Sequence, residues 1–143
     1  MGVAAGLRAS VSAVVGEEDT AIAAGSGDVP VLATPRLLAL AEAASVAAIA
    51  PNLAPGMTSV GTSASLEHRR ASPVGAEVVV EAELTEVDGR RLVFSFIARE
   101  GGQRPGGPGD DGDEDRVVGA GTLERVLVHR KTFLARAEAA GRP

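Results

Sequence analysis

The chain has 143 residues, a hydrophobic share of 45% and a formal net charge of −5. This length suits one domain with a single core, and the acidic balance argues against nucleic acid as a partner. The chain has no Cys and only two His, which excludes disulfides and zinc–cysteine sites and argues against any metal site. No apolar run approaches the roughly 20 residues that span a bilayer, so we expect a cytoplasmic protein with no membrane partner.

Two weakly patterned stretches open the chain. Residues 1–15 fit a lead-in followed by one weak strand. Residues 16–31 are rich in Gly, Ala and acidic side chains and contain no aromatic residue, which predicts a surface flap. We therefore expect the flap to be a variable part of one continuous domain that covers residues 1–143.

A strong helix pattern follows the flap. Residues 36–50 are nearly all Ala, Leu, Val and Ile, and Pro51 ends the run. Thr34 is a typical N-cap, and Pro35 suits the first helical position. Because the segment is apolar on almost every side, we expect this helix to be buried rather than to lie on the surface.

Four strand patterns come after the helix, at about residues 57–70, 74–87, 90–99 and 116–131. Asp88 and Gly89 predict a two-residue turn between the second and third of these strands. Residues 101–115 are dominated by Gly, Pro and Asp and predict a flexible acidic loop. Residues 132–140 predict a short closing helix. An α+β architecture, in which an antiparallel sheet curls around one long central helix, accounts for this order.

Glu42 is the most informative position on the predicted helix. It shares one helix face with the apolar Leu38, Val46 and Ile49. A carboxylate is costly to bury in such a stripe unless it has a partner or a task. Glu42 is therefore either a general base or a structural residue that reaches water or pairs with an Arg.

His68, Thr34 and Arg125 are further candidates, and each has a plain structural alternative. Strand alternation places His68 on the inward face near a strand end, where it either packs in the core or faces a cleft. The Thr34 hydroxyl either caps the helix or, with the free amides there, holds a carbonyl oxygen. Arg125 lies two positions from both Leu123 and Leu127, so strand alternation puts the three side chains on one face. Arg125 is therefore expected to point inward, where it either neutralises Glu42 or shapes a pocket.

A specific pattern runs through four segments, which are TPRLLALAEAASVAAIAPNLAPG, SVGTSASLEHRRASPVG, VVVEAELTEVDGRRLVFSFIARE and GAGTLERVLVHRKTF. A Thr precedes the central helix, a Glu follows two turns later, and a His comes late in the next strand. The pattern resembles the fluoroacetyl-CoA thioesterase-like family of hot-dog proteins. The resemblance implies a hot-dog fold, hydrolysis of a small or short-chain acyl-CoA, and a homodimer with two pockets at the subunit boundary.

The resemblance also implies roles for five residues. Glu42 is expected to activate water or to attack the thioester carbonyl itself, and His68 to orient it and manage the proton of the leaving thiolate. Thr34 and the backbone near Gly61 are expected to hold the thioester oxygen. Gly61 and Arg125 match the substrate pocket of the family. No cofactor and no metal is implied.

One departure from the family bears on substrate choice. The fluoroacetyl-specific enzyme carries an aromatic residue on the lid over its pocket, whereas residues 16–31 contain none. Selectivity for a fluorinated acyl group is therefore not expected, and small Ala and Gly residues leave room for a different acyl chain.

Other functions of the same fold are weighed against hydrolysis. A non-catalytic binder of acyl-CoA or of another apolar ligand is the first alternative, in which Glu42 and His68 form a structural polar pair. A hydratase-type hot-dog enzyme ranks lower, because no Asp/His pair occurs near residues 34–50. A purely structural interaction protein leaves Glu42 unexplained.

Overall fold

The computed structural model of the protein describes residues 2–101 and 116–141, so the predicted acidic loop falls almost wholly outside the described residues. Within them, five strands form one antiparallel sheet in the order β1-β3-β4-β5-β2. The strands are β1 (Arg8–Val14), β2 (Met57–His68), β3 (Glu77–Asp88), β4 (Arg91–Glu100) and β5 (Val117–His129). The helices are α1 (Ala21–Ala24), α2 (Thr34–Ile49) and α3 (Arg130–Ala140), with 3₁₀ turns at Glu17–Asp19 and Ala50–Asn52.

Helix α2 is the long helix that the sequence predicts, but the predicted N-cap is wrong. The N-cap residue is Ala33, which has an extended backbone and makes no side-chain hydrogen bond to the helix. Thr34 is the first helical residue. The Thr34 hydroxyl is instead bonded to a side chain of the sheet, which explains why it does not cap. At the other end, Pro51 lies in the 3₁₀ turn that follows Ile49, as its missing amide favours.

The core lies between α2 and the inward face of the sheet. Strands β3 and β4 bury an aliphatic or aromatic residue at every second position from Val78 to Leu84 and from Leu92 to Ala98, and Leu84, Leu92 and Phe94 are fully buried. Each such side chain contributes about 1.5–3 kcal/mol when it leaves water, so the alternating pattern accounts for the curl of the sheet over the helix. None of the described helices has the length and hydropathy needed to cross a membrane.

Helix α2 is buried on one side, with seven of its residues in the interior, and is exposed on the other side in a single protomer. Ala39, Ala43, Val46 and Ala47 form an exposed apolar stripe along the helix, while the opposite side is buried. One sheet covers only one side of a helix, so the other side is left exposed in a single protomer. We refer to these four residues as the apolar stripe.

Strand β2 contains a bulge that changes which residues face inward. Gly61 pairs with Arg125, but Ser63 pairs with Glu124, so Thr62 is an extra residue in the ladder. Before the bulge the odd-numbered residues share the face of Arg125, and after it the even-numbered residues do. As a result Gly61 and His68 face the same side of the sheet, although simple alternation over seven positions would separate them.

The β3–β4 hairpin is confirmed with a shift of one residue. Asp88 pairs with Arg91, so the two turn residues are Gly89 and Arg90 rather than Asp88 and Gly89. Gly89 has φ of +61°. A positive φ at the first turn position is typical of a type II′ hairpin, and glycine adopts it without strain.

Candidate active site

The first group of candidate residues is the pair formed by Thr34 and His68, which we call the hydroxyl–imidazole pair. Thr34 Oγ1 lies 2.8 Å from His68 Nδ1. The position of His68 is fixed because the next two residues donate backbone hydrogen bonds to the Val118 carbonyl, at 2.8 and 3.1 Å. The end of β2 is thereby held beside the N-terminus of α2. His68 Nε2 is buried and has no hydrogen-bond partner within the described residues.

The environment keeps the imidazole uncharged at neutral pH. Burial lowers the pKa of His68 from its ordinary value of 6.5, and the nearby backbone of Arg70 offsets part of this effect. A neutral ring has one nitrogen that donates and one that accepts. The pair is therefore able to exchange a proton with a reacting group.

The second group consists of Glu42, Ser59, Gly61 and Arg125, which we call the carboxylate cluster. Arg125 Nη1 lies 3.3 Å from Glu42 Oε2, and this bond is also an ion pair. Arg125 Nε donates to Ser59 Oγ at 2.8 Å, and Nη2 donates to the Ser59 carbonyl at 3.1 Å. The Arg125 side chain is 9% exposed, whereas that of Glu42 is 44% exposed. The cluster thus fixes a carboxylate that a substrate is able to reach.

Gly61 makes room for that carboxylate. A Cβ atom on Gly61 would lie 2.7 Å from Glu42 Oε2 and 3.5 Å from Arg125 Nη1. Burial lowers the pKa of Arg125, while the charge of Glu42 and the hydrogen bond to it raise that pKa. Arginine remains protonated under all such conditions, so Glu42 always faces a positive charge on this side.

The structure does not bring the two groups together within one protomer. Thr34 and Glu42 are eight residues apart on α2, which is about 12 Å along the helix axis. Gly61 and His68 are seven residues apart on β2, which is about 23 Å along an extended strand. A single chain therefore holds the two groups of candidate residues apart along α2 and β2, and the sequence-based expectation of pockets at a subunit boundary stays a prediction.

A cavity of about 270 Å³ adjoins the hydroxyl–imidazole pair. Small flap residues line one side of it, namely Ala21, Ser26 and Gly27, and Arg69 and Arg70 line another. The lining thus combines small side chains from the flap with two arginines from the end of β2 and beyond.

The predicted flap is tied to the helix rather than loose. Arg36 Nε donates to Asp19 Oδ1 at 2.9 Å. The pKa of Asp19 is lowered, first by the backbone hydrogen bond from Gly16 and then by Arg36, against the opposing effect of burial. Asp19 therefore stays ionised and anchors the start of the flap to α2.

Sequence reasoning missed Ser59. A lone Ser in a strand carries no signal by itself, and its role depends on the reach of Arg125 across the ladder. The one available signal was parity, because Ser59 is two residues before Gly61 and shares its face.

Comparison with known proteins identifies relatives of this chain. The family model described as "Fluoroacetyl-CoA-specific thioesterase" matches residues 15–106. A fluoroacetyl-CoA thioesterase from Streptantibioticus cattleyicolor is 40% identical over 106 residues, which is 74% of this chain and 67% of that protein.

Solved structures show the same architecture. The fluoroacetyl-CoA thioesterase FlK superposes with a TM-score of 0.81 at 32% identity and covers 100% of both chains. A hot-dog-like protein from Thermanaerovibrio acidaminovorans superposes with a TM-score of 0.80 at 19% identity, over 97% of this chain and 93% of that one. The sheet that curls around α2 is thus a hot-dog fold, which confirms the fold class that the sequence predicts.

Proposed function

This chain belongs to the fluoroacetyl-CoA-specific thioesterase family, and we propose that it hydrolyses small or short-chain acyl-CoA thioesters as a homodimer. The observation that carries the proposal is the Glu42 carboxylate, which a buried Arg125 fixes beside Gly61 while leaving it 44% exposed. A purely structural ion pair has no need of a glycine that clears space next to its carboxylate. An accessible and fixed carboxylate is the group that ester-type hydrolysis requires.

The reaction follows from the groups at hand. The Glu42 carboxylate takes a proton from water, whose oxygen attacks the thioester carbonyl; attack by the carboxylate itself is the other route from the same position. Negative charge then develops on the carbonyl oxygen, where the Thr34 hydroxyl and the backbone near Gly61 stabilise it. The C–S bond breaks, and His68 relays to the CoA thiolate the proton that Glu42 took from water, so both residues return to their starting states. In the second route water hydrolyses the anhydride formed on Glu42 and supplies that proton.

A second copy of the chain supplies the missing half of each site. Strand β2 is an edge of the sheet, and residues 61–65 are exposed on it. Antiparallel pairing of two β2 edges, centred near Ala64 and Ser65, would set Gly61 of one protomer beside His68 of the partner subunit. Exposed edge strands readily pair with another chain. The same assembly offers a surface to cover the apolar stripe of α2.

Turnover by purified protein tests the proposed function. We expect the wild type to release free thiol from acetyl-CoA and other short acyl-CoA thioesters. Glu42→Gln should lower kcat by about 10²–10⁴-fold, because it removes the general base and keeps the shape of the side chain. Ser95→Ala, on the exposed face of β4, is the matched control and should retain full activity. A protein that binds acyl-CoA tightly but protects it from hydrolysis would be a binder, and equal slow release by wild type and Glu42→Gln would refute the enzyme.

Mixing two inactive variants tests the two-protomer site. Glu42→Gln and His68→Ala are unfolded, mixed and refolded together. If each site joins Glu42 of one protomer to His68 of the partner subunit, half of the dimers regain one intact site, and about a quarter of wild-type activity returns. Each variant refolded alone is the control. No recovery, or a monomer by light scattering at micromolar concentration, would contradict the shared site.

A further inference from the structure

Ser59 holds Arg125 with both of its oxygen atoms. The side-chain Oγ accepts from Nε at 2.8 Å, and the main-chain carbonyl accepts from Nη2 at 3.1 Å. Nε and Nη2 lie on the same edge of the planar guanidinium group, so Ser59 holds that edge at two points and orients the group. Nη1 is the remaining nitrogen, and it donates to Glu42 at 3.3 Å.

The strand register explains why Ser59 is able to do this. Arg125 pairs with Gly61, and Ser59 pairs with Leu127, so Ser59 is the diagonal neighbour of Arg125 on the inward face. Gly61 has no side chain to interrupt the path between them. The guanidinium therefore lies along β2, with Ser59 at one end and the Glu42 carboxylate at the other.

We propose that Ser59 is a positioning residue for hydrolysis, which sets the guanidinium of Arg125 so that Nη1 holds the Glu42 carboxylate in its reactive position. A long Arg side chain has several rotatable bonds, and burial alone does not select one orientation of its head group. The hydroxyl of Ser59 selects it. The inference rests on the proposed function, because it assumes that Glu42 carries out the chemistry.

Steady-state hydrolysis of a short acyl-CoA tests this role. Ser59→Ala removes the Oγ acceptor and should lower kcat about tenfold, the effect of one lost hydrogen bond to a charged group. KM should change less than twofold, since Ser59 does not touch the substrate. Ser59→Thr keeps a hydroxyl and suits a strand, so it should restore most of the activity. Ser95→Ala is again the matched control. Unchanged kcat in Ser59→Ala, or no rescue by Ser59→Thr, would overturn the inference.

A coupling measurement separates positioning from general damage to the fold. If Ser59 acts through Arg125, Ser59→Ala should lower kcat less than twofold once Arg125→Met has removed the guanidinium. Two independent losses that multiply would overturn the inference. Should Ser59→Ala fail to fold, the isosteric Ser59→Cys, whose sulfur is a weak acceptor, serves in both measurements with the same expected outcomes.

The outcomes also distinguish this inference from the proposed function. If Glu42→Gln leaves turnover unchanged, the proposed function fails whatever Ser59 does. If Glu42→Gln abolishes turnover while Ser59→Ala has full activity, only the positioning role of Ser59 is lost.

Discussion

The hydroxyl–imidazole pair and the carboxylate cluster lie on the same helix and the same strand, yet they hold their polar groups in opposite ways. In the pair, Thr34 and His68 share one hydrogen bond, and Nε2 of the ring is buried with no further partner among the described residues. In the cluster, Arg125 makes three hydrogen bonds to Ser59 and Glu42. The pair thus leaves the titrating Nε2 atom of His68 without a hydrogen-bond partner among the described residues, whereas the cluster fixes the position of the charged Arg125 side chain.

This difference agrees with the roles that the proposed mechanism gives to the two groups. A group that moves a proton needs an unoccupied donor or acceptor and a pKa near the working pH. A group that attacks a carbonyl or activates water needs a fixed position. Each half-site lacks what the other provides, which is why the proposed dimer has to join Glu42 of one protomer with His68 of the partner subunit.

The bulge in β2 is the element that places Gly61 and His68 on the same face of the sheet. Thr62 is the extra residue, and its hydroxyl donates to the Glu124 carbonyl at 3.3 Å. The bulge in β3 has the same form, since Thr85 is its extra residue and donates to the Val93 carbonyl at 3.1 Å. In both places a threonine hydroxyl satisfies a backbone group of the opposite strand where the ladder is disrupted.

The largest expected effect comes from breaking the fixed position in the carboxylate cluster. Gly61→Ala adds a Cβ that would lie 2.7 Å from Glu42 Oε2. The carboxylate is the end of a flexible side chain, so it should swing aside while the fold persists. A displacement of about 1 Å at a reacting group lowers the rate by about 10²-fold. We expect that loss in kcat, with a free energy of unfolding that changes by less than about 1 kcal/mol.

A second glycine of the same ladder provides the contrast for that experiment. A Cβ on Gly121 would overlap the main-chain carbonyl oxygen of Ser65, which has no flexible end to move. Gly121→Ala should therefore push β2 and β5 apart and lower the free energy of unfolding by more than about 3 kcal/mol. Urea unfolding and kcat are measured on both variants. If Gly61→Ala unfolds as readily as Gly121→Ala, or keeps full activity, Gly61 does not serve the carboxylate.

Local patterns were sufficient to predict the elements of the fold from the sequence. Alternation of apolar residues predicted the four long strands, and the Ala/Leu run before Pro51 predicted α2. Arg125 was expected to face inward from parity alone, and it is buried. These features depend on residues near one another in the chain, so the sequence carries them directly.

The features that the sequence did not predict depend on contacts between distant segments. The bulge at Thr62 requires the carbonyl of Glu124, and the role of Thr34 depends on His68 rather than on the helix that it begins. Simple alternation along β2 would therefore separate Gly61 from His68, whereas the bulge places them on the same face. The apolar stripe also escaped prediction, because composition does not show how much of a helix one sheet covers.

The smallest expected effect is a change in the free energy of unfolding with pH, and it comes from protonation of His68 in the hydroxyl–imidazole pair. Burial lowers the pKa of His68 below 6.5, with a smaller opposing effect of the Arg70 backbone. As the pH falls below 6.5, the unfolded chain takes up a proton at this residue more readily than the folded protein does. Stability that is fully present above that pH is then lost as the pH falls through the lower folded-state pKa.

Urea unfolding at pH 7.5 and pH 5.5 measures this loss on the wild type and on His68→Gln. The wild type should lose more stability than the variant between the two pH values, by less than about 1 kcal/mol because the ring is partly exposed. Every other titrating side chain is common to both proteins, so the difference isolates the imidazole. An equal loss in the two proteins would mean that the ring is not held neutral, and the pair would then lack the proton-accepting atom that distinguishes it from the carboxylate cluster.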